Sequence, residues 1–118
     1  MSTKIETKLG TITIENEVIA RLAGQSVMEC AGVVGMASKN VKDGIVQLIK
    51  KDNLAKGITL TPDDGKVGLS LRIIVEYGTN IPAIAETIQT NIKYRVEEYT
   101  GVEISRVNIF VEGVRVDD

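Results

Sequence analysis

The sequence contains no histidine, no tryptophan, one cysteine and only four aromatic side chains, Tyr77, Tyr94, Tyr99 and Phe110. Without histidine there is no His-based triad, no imidazole general base and no imidazole metal ligand. One thiol, Cys30, makes neither an internal disulfide nor a thiolate zinc centre. Four aromatics are too few for a platform that stacks single-stranded bases. A basic excess is missing too. Lys plus Arg is 14 against 16 for Asp plus Glu, a net charge of −2, whereas phosphate neutralisation supplies most of the affinity of a nucleic-acid binder. No apolar run approaches the ~20 residues that span a bilayer. The opening MSTKIETK has no apolar signal core. These absences set an expectation of a cytoplasmic chain without direct membrane insertion. The unpaired Cys30 agrees with a reducing compartment.

What is abundant is β-branched. There are 15 Ile, 14 Val and 10 Thr against 7 Leu, one third of the 118 residues, and such side chains suit pleated sheet. The length fits a single domain with a real core. Composition shows no linker or repeat, so one domain is expected over residues 1–118, with short flexible ends at about 1–8 and 114–118.

Alternation at Thr11-Ile12-Thr13-Ile14 reads as a strand with Ile12 and Ile14 facing inward. Asn16 is a plausible N-cap for a helix. Val18, Ile19, Leu22, Ala23, Ser26 and Cys30 fall on one side of that helix, which makes Cys30 a small core residue. Gly32 ends the helix, and Ala31 to Ala37 continues as a short strand. Asn40 can cap a second, short helix, with Asp43 in its first turn and Val41, Ile45, Leu48 and Ile49 on one face. Gly57 closes this region. Ile58 to Thr61 and Val67 to Tyr77, joined through Pro62-Asp63-Asp64-Gly65, read as a hairpin. Val67, Leu69, Leu71, Ile73 and Val75 face one way; Ser70, Arg72, Ile74 and Glu76 face the other. Pro82 opens the longest helix, whose buried side is Ile81, Ile84, Ala85, Ile88, Ile92, Val96 and Tyr99. Gly101 stops it. The last strand runs from about Val102 to Val111, with Val107, Ile109 and Val111 inward. The expected class is α+β: two layers, a mixed sheet of about four to five strands and two main helices on one face. The order is β-α-β-(α)-β-β-α-β.

Candidate chemistry is sparse. Gly32-Val33-Val34-Gly35 matches the GxxG with which a KH domain clamps RNA between two helices, but two central valines suit a strand better. Lys39, Lys42, Lys50, Lys51, Lys56 and Lys66 gather between positions 39 and 66, interleaved with Asp43, Asp52, Asp63 and Asp64. That is the pattern of a solvated mixed surface. A small RNA-binding domain is the alternative reading that rests on these two features. Asp63-Asp64 and Asp117-Asp118 read as solubilising pairs, since catalytic carboxylates need a pocket that tunes them. No Walker loop, GxGxxG or nucleophile elbow occurs. No catalytic residue, metal or cofactor is expected. The candidates that remain are surfaces. Ile74 and Phe110 share the sheet face opposite the helices, beside Arg72, Glu76 and Asn108, and Tyr94 points away from the core on the long helix. Arg72, Ile74, Phe110 and Tyr94 are therefore the candidate partner surface.

The ordered series GTITIENEVIARLAG (10–24), CAGVVGMASKN (30–40), KDGI (42–45), LRIIVEYGTNIP (71–82), IQTNIKYRVEEYTG (88–101) and VNIFVEGVRV (107–116) resembles the alkaline-shock-protein family of Gram-positive bacteria. It is most similar to the short, YloU-like branch. The resemblance covers most of the chain and is weakest over 52–66. It implies a non-enzymatic α+β domain in the cytoplasm. It also implies a place at the inner face of the membrane through a partner protein, either a membrane anchor or an operon-encoded protein, in support of the envelope under stress. Homo-oligomeric self-assembly is also known in the family, and the gene of the short branch often lies beside one for a dihydroxyacetone-kinase-like (fatty-acid kinase) protein, so a functional link there is an expectation of the resemblance. No catalytic residues do.

Overall fold

The computed structural model describes residues 2–39 and 44–116. Strands β1 (Ser2–Thr7) and β2 (Gly10–Glu15) form a hairpin, followed by α1 (Asn16–Met28), β3 (Val33–Lys39) and β4 (Val46–Leu48). A short 3-10 helix (Lys51–Gly57) leads to β5 (Ile58–Asp63), β6 (Lys66–Glu76), α2 (Ile81–Thr100) and β7 (Ile104–Arg115). The fold is α+β with two main helices and a five-stranded mixed sheet, as the sequence suggests, plus a separate two-stranded ribbon.

The sheet is organised around β6. Its apolar alternation is the longest in the chain, and Leu69, Leu71, Ile73 and Val75 are all buried. One edge of β6 takes two antiparallel neighbours end to end: β5 along residues 66–71 and β3 along 72–75. The other edge takes β7 in parallel, which requires the α2 crossover between them. The β5–β6 turn is Asp64-Gly65, with φ of 50° and 81°, the left-handed pair that a two-residue hairpin needs. Helix α2 has the start and stop its sequence encodes. Asn80 accepts a hydrogen bond from Ala83 N at 3.1 Å, Pro82 sits in the first turn, and Gly101 leaves in the left-handed region at φ 74°.

Ile84, Ile88, Ile92 and Val96 of α2 join Ile19, Ala23 and Val27 of α1 over the β6 stripe in one aliphatic core. Cys30 lies in that core as expected. Its thiol donates to Ser26 O at 3.4 Å, and burial pushes the thiol pKa up. Gly24 lets the 3-10 helix close on α1, because a Cβ there would sit 2.9 Å from Leu54 Cβ.

Several expectations are corrected. Residues 2–7, read as part of a flexible end, form β1. Thr7 makes the turn that pairs β1 with β2, accepting from Leu9 N and donating to Gly10 O. Likewise, β7 runs on through Val114 and Arg115, because β6 offers ladder partners as far as Glu76. Ile12 is exposed rather than inward, since the ribbon stands apart from the main sheet and only Ile5 and Ile14 reach the core. Asn16 is the first helical residue and not the cap. Val18 is half exposed, and the buried side of α1 turns toward Ala20, Gly24 and Val27. The expected short helix is replaced at Val46–Leu48 by β4, which pairs with the free edge of β3. Asn40, Val41 and Asp43, assigned to that helix, lie outside the described residues. Tyr99 is exposed, because the core ends one turn earlier, at Val96. Ile81, expected inward, is partly exposed at the other end of α2. All four aromatics are exposed, and the core is built of aliphatic side chains with Met36 and Cys30.

Candidate interaction face

The alternation that sends Leu71, Ile73 and Val75 under the helices sends Ser70, Arg72 and Ile74 to the opposite face. Among the described residues no helix packs on that face. Ladder register then sets its neighbours. Arg72 stands between Ala37 of β3 and Phe110 of β7, and Ile74 between Gly35 and Gly113. Two flanking glycines leave backbone where side chains would stand. Leu48 of β4 fills the space over Gly35, with its Cδ2 3.2 Å from where a Cβ would be, and Ile74 Cδ1 lies the same distance from the Cβ position of Gly113. Leu48, Ile74 and Phe110 therefore form a shallow apolar strip; Phe110 is 46% exposed and Leu48 45%.

Arg72 is held within this strip. Its guanidinium lies 4.7 Å from the centre of the Phe110 ring and donates to Glu112 Oε1 at 2.6 Å. A guanidinium suits the position because it stacks on a ring and binds a carboxylate in the same plane. Glu112 can reach it because β7 has an extra residue between Val111 and Gly113, opposite Ile73 and Ile74. Such a bulge re-aims a side chain. Toward the β5–β6 turn the same face becomes polar. Asn108 donates to Ser70 Oγ at 3.5 Å and Arg106 pairs with Asp63 at 3.3 Å. Ser105 and Arg106 hold the Asp63 carboxyl below its ordinary value, Ser105 more strongly.

The structure brings three of the four candidate residues together. Arg72, Ile74 and Phe110 form one patch, and Asn108 borders it as expected. Glu76 lies exposed at the strand end. Tyr94 is on the outward side of α2, in the helix layer, 71% exposed, and does not join them. Sequence reading missed Leu48, which belonged to an expected helix, and Glu112, whose aim depends on a bulge with no signature in the sequence. The GxxG is not a loop between helices. Gly32, at φ 89°, turns the chain after α1, and Gly35 lies inside β3. The RNA reading loses its clamp with that placement.

Among the described residues no helix is long and apolar enough to cross a membrane. No solved structure matches the chain. Relatives do. The chain is 44% identical to YloU of Bacillus subtilis over 117 residues, 98% of each protein. It is 31% identical to YqhY of the same organism, over 95% of this chain and 82% of that one. A stress response regulator gls24 homolog of Streptococcus pyogenes is 22% identical over 92% of this chain, which spans 61% of that protein. Residues 4–116 match the model of the alkaline shock protein 23 family, described by a cell envelope-related function. The chain belongs to that family, as its motif series suggests.

Proposed function

We propose that this chain is a non-enzymatic interaction module of the envelope stress response and binds a protein partner through its helix-free sheet face. The observation that carries this reading is the gathering of Arg72, Ile74 and Phe110, with Leu48, on a face that no helix of the described residues covers. An apolar strip crossed by an anchored arginine has the make-up of an interface centre, where aromatic and Arg side chains dominate binding energy. The stress-response name of one relative and the envelope description of the family support the cellular setting. The partner is a membrane-anchor or operon-encoded protein, and through it the cytoplasmic chain sits at the inner face of the membrane.

The test is a cross-linking pull-down from the native host with the full chain, Ile74→Asp and Phe110→Asp. Both positions are on the face away from the core, and circular dichroism of each variant checks that it is folded. The wild type is expected to enrich an envelope-associated or operon-encoded protein, and each variant to bind it at least about tenfold more weakly. Equal binding by all three proteins would rule this face out.

A further inference from the structure

Away from that face, and independent of its reading, β5 has β6 on one side and, among the described residues, no strand on the other. Ladder parity fixes which backbone groups this edge shows. Val67 N donates to Glu103 O, away from β5. Pro62, opposite Val67, therefore turns its backbone away from β6, and by alternation so do Leu60 and Ile58. Pro62 has no N–H, which is why an edge tolerates it. Ile58 N is already taken by Ala55 O. The edge is left with the carbonyls of Ile58, Leu60 and Pro62 and the N–H of Leu60. Only at Leu60 do a donor and an acceptor stand together.

This edge also has a wall beside it. Two adjoining hollows run along it and share Asn16 and Leu60. In one, Glu17 and Ala20 of α1 stand over Ile58 and Leu60, with Lys56 at the Ile58 end. In the other, Lys4 of β1 stands near Pro62 and Lys66. Glu17 is paired with Arg21 at 3.2 Å and Lys66 with Glu103 at 3.5 Å. Among the described residues Lys4 and Lys56 make no ion pair, so positive charge stands uncompensated at each end of the groove.

We propose that a short extended segment of another protein, acidic with an apolar centre, adds to β5 as an antiparallel strand with its central residue opposite Leu60. Antiparallel pairing lets that one residue satisfy both the N–H and the C=O of Leu60, and main-chain bonds of this kind give strand addition its affinity. Directly opposite residues share a face, so the central side chain lies with half-buried Leu60 on the helix side, against Ala20. Side chains two residues away on either side point the same way. One meets Lys56 beside Ile58; the other meets Lys4 and Lys66 beside Pro62. The pattern recognised is acidic, any, apolar, any, acidic. The intervening side chains lie on the other face with Thr59 and Thr61, both exposed. Pro62 and the occupied Ile58 N–H leave no second donor on the edge, which keeps the added strand short.

The experiment titrates the full chain with the capped peptide Thr-Glu-Thr-Val-Thr-Glu-Thr and follows backbone amides by NMR. Binding is expected with a Kd below about 1 mM, with the Leu60 amide shifted and protected from exchange. N-methylation of the central valine removes the N–H that Leu60 O accepts and is expected to weaken binding about tenfold. N-methylation of the next threonine, whose N–H faces solvent, is expected to leave it unchanged. Lys4→Glu with Lys56→Glu, both on the surface, is expected to weaken the acidic peptide about threefold or more and to favour the same peptide with lysines in place of its glutamates. Ile74→Asp, on the helix-free face, is expected to bind like the wild type. No binding up to about 1 mM, equal loss from the two N-methylations, an unshifted Leu60 amide, or loss of binding in Ile74→Asp would each overturn the proposal. So would a Leu60 amide already protected without peptide in a species of twice 12.8 kDa, which would put a second copy on the edge.

Discussion

Arg72 stands directly opposite Phe110 in the β6–β7 ladder and holds its guanidinium 4.7 Å from the centre of the ring. The same guanidinium binds Glu112. Arg72→Met keeps the stem and removes the charge. It is expected to lower stability by about 1 kcal/mol, the sum of a partly exposed cation–π contact and an ion pair. Urea unfolding measures it, and an unchanged midpoint would mean that the contact does not order the face.

The aliphatic core bears the fold. Ile92 is fully buried under α2, between Ile88 and Val96. Ile92→Ala is expected to cost about 2–5 kcal/mol, the transfer of the lost carbons plus a cavity. The denaturation midpoint should fall while the unfolding slope stays the same.

Gly24 sets two effects against each other. In an isolated helix interior, Gly→Ala stabilises by about 1 kcal/mol. Here the added Cβ meets Leu54 Cβ at 2.9 Å, and overpacking costs about 1–3 kcal/mol. Gly24→Ala is therefore expected to destabilise, and Leu54→Gly, harmful alone because it strips a core side chain, to be less harmful in its presence because it removes the Cβ that the new methyl meets. A double-mutant cycle reads the coupling.

The fold's backbone plan was legible where one residue has one reading. Alternation over Val67 to Val75, the Asp64-Gly65 turn, Pro82 and Gly101 each carry a local physical meaning, and each is where the sequence puts it. What was not legible depends on distant partners. Val46 to Leu48 fits a helix face as well as a strand, and the free edge of β3 decides. Ile12 alternates like a core residue, but its ribbon leaves the main sheet. Tyr99 shares a helical arc with Ile92, but the core stops at Val96. In the candidate face, Ile74 and Phe110 follow from alternation. The ion pair of Arg72 follows from a bulge, and bulges are set by tertiary fit.

Acid should weaken the fold through its paired carboxylates. Glu97 is held below its ordinary value first by Lys93 and then by Ile104 N, and Glu29 by Arg95, 2.6 Å away. A carboxyl whose folded pKa is depressed contributes its stability above the unfolded value of about 4.3. That contribution is lost as pH falls through the lower folded value. The melting temperature is expected to drop on acidification below about pH 4.3. Glu97→Gln should be less stable at neutral pH by about 1 kcal/mol and show a shallower acid slope. A parallel pH profile would mean that Glu97 does not carry the effect.

The central claim is that the chain works through its helix-free face. Site-specific photocross-linking in the native host tests it most directly, with the reactive side chain placed at Phe110 in one strain and at Tyr94 in another. The account predicts a protein adduct from position 110 that disappears when Ile74→Asp is added, and none from position 94. Adducts from position 94 with none from position 110 would contradict it.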